Sequence, residues 1–383
     1  MLLDSLDVIN FRNLNSKVAW SKGLNIIFGD NGQGKTNWLE AIYLLATSKS
    51  FRTQRLQETI RFGEDLAVVR GSVTHGTGIQ REMQLSIQGS TKALTVNGKR
   101  ETVARYLGQL HTVAFTAADM DIVRGMPEAR RKFLDRGVIS LHHSYVQTLA
   151  DYNRVLKQKN RLLQDASALE MSYEQAGEII APWNEQLIKL GSEIHRSRID
   201  YVDRLNGALE KRLFEGEEIS IRYVSALEGK GDLSDYESLI ADRLRLRLQA
   251  EIIAGYSLVG PHRDDLEILF DGREMRPFGS SGQQRSALII LDLAAISLYY
   301  SWHNEYPLFL IDDVDAELDR KRIRYLLEHL EGRTQTFITT SKESLVEQFV
   351  HQASVYQVTE GVIIAEASIA GLLSSSAGGL ESV

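Results

Sequence analysis

Apolar residues in this 383-residue chain recur at one spacing near the start, at another through the middle, and at the first again towards the end. Over residues 1–111 the pattern is that of short strands and turns around one helix. Segments 8–11, 24–28, 66–73 and 83–87 are predicted strands, rich in Val, Ile, Leu and Phe. Leu94-Thr95-Val96 runs into Asn97-Gly98, a dipeptide that accepts positive φ and so marks a hairpin turn. Trp38, Ile42 and Leu45 carry helical spacing across 37–47.

The middle follows the helical period. Val138, Leu141, Tyr145, Leu149, Tyr152, Leu156 and Leu163 fall at steps of three, four or seven, which predicts one amphipathic helix of unusual length. A second series runs Trp183, Leu187, Leu190, Ile194, Tyr201, Leu205, with Pro182 suited to its first turn. Joined by the polar stretch 164–178, the two predict either an antiparallel helical arm or the long core helices of a bundle. Strand signals return from about residue 254. Segment 266–270 precedes a second turn dipeptide, Asp271-Gly272; 281–301 is predicted helical; and 307–311 is an all-apolar strand of the kind buried in parallel sheets. A helix over 320–330 and strands over 336–340 and 354–358 follow. The tail from 367, rich in Ser, Gly and Ala, is expected to be mobile. The layout predicts an α/β protein with a mixed sheet and an inserted helical lobe. Its segments are 1–115, 116–253 (the lobe), 254–366 and 367–383, with both outer parts completing one sheet.

Composition narrows the chemistry. No cysteine is present, which excludes disulfides, thiolate nucleophiles, zinc–thiolate sites and iron–sulfur clusters. The start lacks a basic segment followed by an apolar one, and no apolar run approaches the ~20 residues that a bilayer span needs, so a cytoplasmic protein without membrane contact is expected. With 44 basic and 51 acidic side chains the net charge is −7, so any nucleic-acid contact must come from a local patch.

Gly29-Asp30-Asn31-Gly32-Gln33-Gly34-Lys35-Thr36 fits a phosphate-binding loop, set between an apolar strand and a helix. Its glycines let backbone N–H groups cradle phosphate oxygens, and the helix N-terminus adds its positive end. Lys35 supplies a cation to the β- and γ-phosphates, and the Thr36 hydroxyl is a Mg²⁺ ligand. Far downstream, the strand 307–311 delivers Asp312 and Asp313 at its C-terminal end. Asp312 suits the Mg²⁺ shell, and Asp313 stands where a water-positioning carboxylate belongs. The expected cofactors are therefore a nucleoside triphosphate and Mg²⁺; the loop alone does not separate kinases, GTPases, transporters and DNA-repair ATPases, and ATP follows from the resemblance below.

Three further segments resemble the ATP-binding-cassette class. Phe278-Gly279-Ser280-Ser281-Gly282-Gln283-Gln284 looks like its signature loop, Ala316-Glu317-Leu318-Asp319 like its D-loop, and Thr339-Thr340-Ser341 stands at the switch position. In that class the signature loop of one subunit caps the nucleotide held by another, which implies an ATP-dependent homodimer with Ser280, Gly282 and Gln283 completing the partner's site. Asp313 and Thr340 depart from the transporter pattern of Glu and His. Lys35 and Asp312 are 312 − 35 = 277 residues apart, too few for the coiled coils of SMC or Rad50 proteins.

The match then becomes more specific. Asn10-Phe11-Arg12-Asn13-Leu14, Ser50-Phe51-Arg52-Thr53, the run from Gly125 to Asp135, Gly260-Pro261-His262-Arg263-Asp264-Asp265 and Asp312-Asp313-Val314 together resemble the bacterial RecF recombination-mediator family over about residues 1–360. The resemblance implies an SMC-like ATPase head with two lobes and a weak, DNA-stimulated ATPase. It also implies an ATP-closed clamp on DNA that helps RecA load at single-stranded gaps beside duplex, with RecR and RecO as partners. Arg12 and Asn13 resemble the family's adenine-side and phosphate-side contacts. A transport-motor subunit and a nuclease-linked ATPase are the alternatives; the second would need an acidic nuclease segment after residue 360. Three basic clusters are candidates for DNA phosphates: Arg124 with Arg130, Arg131, Lys132 and Arg136; Arg52 with Arg55 and Arg61; and Arg243 with Arg245 and Arg247. The Gly260–Asp265 stretch is expected to be a turn held by an Arg–Asp pair rather than a metal site.

Overall fold

The first strand, β1 (Leu2–Phe11), buries Leu3, Leu6, Val8 and Phe11. Strict alternation would set residues 3 and 6 on opposite faces. Register shifts between Leu3 and Ser5 and between Val8 and Phe11 bring them back to one side. The computed structural model describes residues 1–76, 78–209, 218–349 and 351–366. The Ser-, Gly- and Ala-rich tail from 367 lies outside them.

The chain continues through β2 (Leu14–Ala19), β3 (Leu24–Phe28), helix α1 (Lys35–Thr47), β4 (Leu66–Thr74), β5 (Gln80–Gln88), β6 (Thr91–Val96) and β7 (Lys99–Arg100) to β8 (Thr112–Phe115). The Asn97-Gly98 turn joins β6 to β7 with φ of 49° and 74°, the pair of positive angles a two-residue hairpin requires. Next come α2 (Pro127–Leu141), α3 (Tyr145–Ala168), α4 (Tyr173–Ala208), β9 (Ile219–Val224), α5 (Tyr236–Ala254), β10 (Asp265–Phe270), β11 (Arg273–Glu274) and α6 (Ser281–His303). The last stretch holds β12 (Leu308–Ile311), β13 (Thr336–Thr340), β14 (Ala353–Thr359) and β15 (Val362–Glu366).

Two compact units result: Met1–Met120 with the chain from Ala295 onward, and Asp121–Ala294. The first unit holds an antiparallel sheet of order β2-β1-β4-β5-β6-β7 and a mixed sheet of order β15-β14-β3-β13-β12-β8. Both ends of the chain thus complete the second sheet, as its apolar strands suggested. Every residue of β12 and β13 is buried, as expected of parallel strands covered on both faces. Helix α1 packs against strands of both sheets, which is why Trp38, Leu39, Ile42, Leu44 and Leu45 bury it on all sides.

In the second unit the helical pattern needs correcting twice. The series from Val138 to Leu163 is two helices, broken where His142 leaves helical geometry at φ −132°, ψ 88°. Their apolar residues keep step across the break because both helices bury into one core. The second series starts not at Pro182 but at Tyr173. A capping box of Ser172 and Gln175 sets that start, and Pro182 lies inside the helix. The joint between the long helices is therefore 169–172. Helix α5 packs on both α3 and α4, so the pair belongs to a bundle. Residues 254–294, grouped by the sequence pattern with the third segment, fall in this unit, where β11-β10-β9 form a small sheet.

Polar groups organise the core of this unit. Arg130 forms a bidentate pair with Asp265 (2.7 and 2.9 Å), and Arg198 another with Asp135 (2.9 and 3.1 Å). The turn at 260–265 is thus held by Arg130 from α2, not by Arg263, which donates to the Ser257 carbonyl. Asp264 accepts from the Tyr223 hydroxyl and the Ala226 N–H. His262 pairs with the Tyr152 hydroxyl at 2.7 Å. His195 stacks on Tyr236 at 3.7 Å, and neither of its ring nitrogens has a hydrogen-bond partner among the described residues.

Burial pulls the pKa of both His195 and His262 from 6.5 to about 4. The unfolded chain therefore takes up protons near pH 6.5 that the folded chain refuses until about pH 4. Their contribution to stability is complete above that window and is lost as pH falls through it. Asp264, whose pKa burial raises, acts in the opposite sense. In urea titrations the midpoint is expected to fall as pH drops from 6.5 towards 4. Replacing His195→Phe, which keeps the ring stack, should flatten that decline.

Candidate nucleotide-binding site

Between Phe28 at the end of β3 and Lys35 at the start of α1 the chain makes a glycine-rich turn. Gly32 (φ 81°) and Gly34 (φ 110°) occupy the left-handed region. A Cβ on Gly34 would lie 2.9 Å from the Asn13 side chain. No side chain caps α1, so the N–H groups of its first turn are left for another acceptor. Lys35 bends back over the loop, its Nζ donating to the carbonyls of Gly29 (2.7 Å) and Asp30 (2.9 Å). Burial lowers its pKa, against the attraction of Asp313, Asp315, Asp30 and Asp312.

Strand β12 delivers its carboxylate to the same place. Asp312 accepts from the hydroxyls of Thr36 (2.9 Å) and Thr339 (2.8 Å), joining α1, β12 and β13 at one point. Burial raises its pKa, opposed by the Thr339 and Thr36 hydrogen bonds and by Arg52 and Lys35. Asp313 is exposed at φ 50°, and its N–H donates to Thr339 at 2.7 Å. These groups border a cavity of about 360 Å³.

Of the residues read from the sequence, Asn31, Gly32, Gly34, Lys35, Thr36, Asp312 and Asp313 line this cavity. Gly29 and Asp30 act from its edge through their carbonyls. Asn13 lies against the loop, donating to the Gln33 carbonyl at 3.3 Å and accepting from Asn37 at 2.7 Å. Arg12 is engaged elsewhere: its guanidinium pairs through two bonds (2.9 and 3.0 Å) with Glu40 of α1, whose side chain is fully buried. Ser280, Gly282 and Gln283 belong to the second unit. There Ser280 is exposed and opens α6: its N–H donates to Gln283 Oε1 at 2.9 Å, and its hydroxyl accepts from the Gln283 N–H at 3.3 Å.

Arg52 is the lining residue that the sequence assigned elsewhere. Grouped there with Arg55 and Arg61 for DNA, it borders the cavity, donating to Asn37 at 2.7 Å and lying 3.6 Å from Glu40. A signal was present: Glu40 is the one acid in α1 and interrupts the apolar run 38–46, and a carboxylate buried on every side must be matched by cations. The other clusters are also partly consumed by the fold. Arg130 is 3% exposed and tied to Asp265, Arg131 donates to the Asp264 carbonyl, and Lys132 pairs with Glu128. Arg61 donates to the Asn13 carbonyl at 2.7 Å, while Arg245 pairs with Asp242.

The donor set suits a metal–phosphate complex. Among the described residues no group of three His, Cys, Asp or Glu side chains is placed to hold a metal ion by itself. Mg²⁺ ordinarily takes one or two protein oxygens and the rest from phosphates and water, which the adjacent Thr36 hydroxyl and Asp312 carboxylate match. No described helix is long and apolar enough to cross a membrane.

Parallel central strands in a mixed sheet, an uncapped helix behind a glycine loop and a strand-end aspartate bonded to the loop's threonine define a P-loop nucleotide-binding head. The family model for the RecF/RecN/SMC N-terminal domain matches residues 2–364. The DNA replication and repair protein RecF of Ligilactobacillus salivarius is 34% identical over 378 residues, covering 96% of this chain and 98% of that protein. The RecF protein of Oceanobacillus iheyensis is 34% identical over 377 residues, covering 95% and 100%. Among solved structures, the recombination mediator protein RecF with ATPrS in the RecFOR pathway superposes with a TM-score of 0.86 at 31% identity, covering 95% of this chain and 98% of that one. The RecF–ATP structure gives a TM-score of 0.85, also at 31% identity, covering 94% and 96%. The chain belongs to the RecF family of SMC-like ATPases.

Glu40→Ala would leave the Arg12 guanidinium with no carboxylate in a largely buried setting. It is expected to cost about 3–5 kcal/mol of stability, the range for breaking a buried ion pair. Glu58 and Arg55 form an exposed pair at 4.0 Å, and removing it with Glu58→Ala should cost under ~1 kcal/mol. Chemical denaturation of the two variants side by side checks the contrast.

Proposed function

We propose that this protein is an ATP-dependent DNA-binding switch of recombinational repair and replication. The observation that carries the reading is the Thr36–Asp312 contact beside Lys35, at the mouth of an uncapped helix. When bound, Mg·ATP would supply the charge and the scissile phosphoanhydride. Lys35 and the first-turn N–H groups of α1 would hold the phosphates, and Thr36 and Asp312 would hold the metal. Asp313, exposed at the cavity's edge, would orient the attacking water.

Ser280 supports a dimeric clamp. It lies exposed at the head of α6, with a geometry fixed by Gln283 rather than by any buried contact. Two copies would close with Ser280, Gly282 and Gln283 of each facing the Lys35 pocket of the other, and slow hydrolysis would reopen them. Coupling of this kind requires the nucleotide to favour the closed pair over the open one. The names of the relatives support DNA repair as the setting. In that setting the clamp would sit at junctions of single- and double-stranded DNA in the cytoplasm, work with RecR and RecO, help RecA load at gaps, and hydrolyse ATP weakly under DNA stimulation.

Gel filtration and DNA-binding titrations with and without Mg·ATP test this. The wild-type chain is expected to dimerise and to bind gapped duplex more tightly with ATP present. Lys35→Ala should weaken ATP binding by about 100-fold, the loss of one charge-assisted contact, and abolish both responses. Ser280→Arg should leave ATP binding to the monomer intact while preventing dimerisation. If nucleotide changes neither oligomeric state nor DNA affinity, the clamp reading fails.

A further inference from the structure

We propose that the hairpin turn between β14 and β15 is a clasp that sets the geometry of the phosphate loop, with Gly361 as its positioning residue. The inference rests on the nucleotide reading above and concerns residues that do not line the cavity.

Gln33, in the middle of the loop, is gripped from outside through both its backbone and its side chain. Its carbonyl accepts from the Gly361 N–H at 2.7 Å, and its side-chain Oε1 accepts from the Glu360 N–H at 2.7 Å. In a trans peptide the carbonyl and the following N–H point in opposite directions. Tying the Gln33 carbonyl outward to the hairpin therefore directs the Gly34 N–H inward, towards the phosphate cradle. The hairpin approaches so closely that glycine is needed on both sides of the contact. A Cβ on Gly29 would meet the Val358 carbonyl at 2.5 Å, and one on Gly34 would meet the Gly361 Cα at 3.1 Å.

The clasp is itself fixed. Glu360 (φ 50°) and Gly361 (φ 84°) form a tight turn closed by the Thr359–Val362 pair. The indole N–H of buried Trp38, one turn into α1, donates to the Gly361 carbonyl at 3.2 Å. A Cβ on Gly361 would meet the Asn13 carbonyl at 2.4 Å. Gly361 thus touches the loop, α1 and the β1–β2 turn, and no larger residue fits without moving the hairpin away from Gln33. Sequence alone does not reveal the clasp, because residues 33 and 361 are neighbours only through the sheet.

Titration of fluorescent mant-ATP in the presence of Mg²⁺, with thermal melts alongside, tests the clasp in the full chain. Gly332→Ala is the matched control: it imposes the same left-handed strain (φ 68°), but its Cβ would meet nothing within 4 Å. Gly361→Ala is expected to weaken mant-ATP binding by about tenfold or more, while Gly332→Ala, which carries the backbone strain without the collision, loses less melting temperature and keeps wild-type affinity. Gln33→Ala, which removes the acceptor for Glu360 on a surface loop, should also weaken binding, and it decides the matter should Gly361→Ala fail to fold. Wild-type binding left unchanged in Gly361→Ala or, where that variant does not fold, in Gln33→Ala overturns the clasp alone. A wild-type chain that does not bind mant-ATP overturns the nucleotide reading and the clasp together.

Discussion

Helix α1 is apolar on every side except at its first turn and at Glu40, and both exceptions must be satisfied by groups from elsewhere in the chain. Much of the first unit follows from that constraint. The helix lies between two sheets, which together cover its circumference. Its open N-terminus collects Asp312 from β12, through the Thr36 hydroxyl, and Thr339 from β13, through Asp312. Its buried carboxylate collects Arg12 and Arg52. Phosphate chemistry and core packing are therefore parts of one arrangement, and a change to either reaches the other within a few bonds.

The strands that build this arrangement were legible from the sequence because each is a short apolar run with a turn dipeptide or a charged pair at its end. Segments 24–28, 336–340 and 320–330 match the observed elements to the residue. The phosphate loop was legible for a different reason: its chemistry demands particular residue types at fixed spacing. The Gln33–Gly361 contact was not, since its meaning depends on which strands become neighbours, and Glu40 signalled only that cations must gather about it, not that Arg52 is one of them. The charge of Arg52 is the same whether it faces DNA, Glu40 or a phosphate.

The helical unit shows the converse difficulty. A period of 3.6 reports which face is buried but is nearly blind to a three-residue interruption, so Val138–Leu163 reads as one helix although His142–Ser144 breaks it. Pro182 carries a start signal that a stronger one, the Ser172–Gln175 capping box, overrides ten residues earlier. Charge in this unit does not by itself announce a surface role: Arg130 and Arg198 are buried and tied to Asp265 and Asp135.

Strand β3 has one further consequence, for how the molecule is made. Its two neighbours are β13 and β14, and the pairing of Leu24 with Thr336 spans 336 − 24 = 312 residues. A ribosome adding ~5–20 residues per second leaves that apolar segment without a companion on either edge for tens of seconds. Its nascent backbone must be shielded meanwhile, and such distant pairing makes for slow maturation. The nucleotide pocket is consequently among the last features to exist, assembled only when the final strands emerge and slot in beside the first.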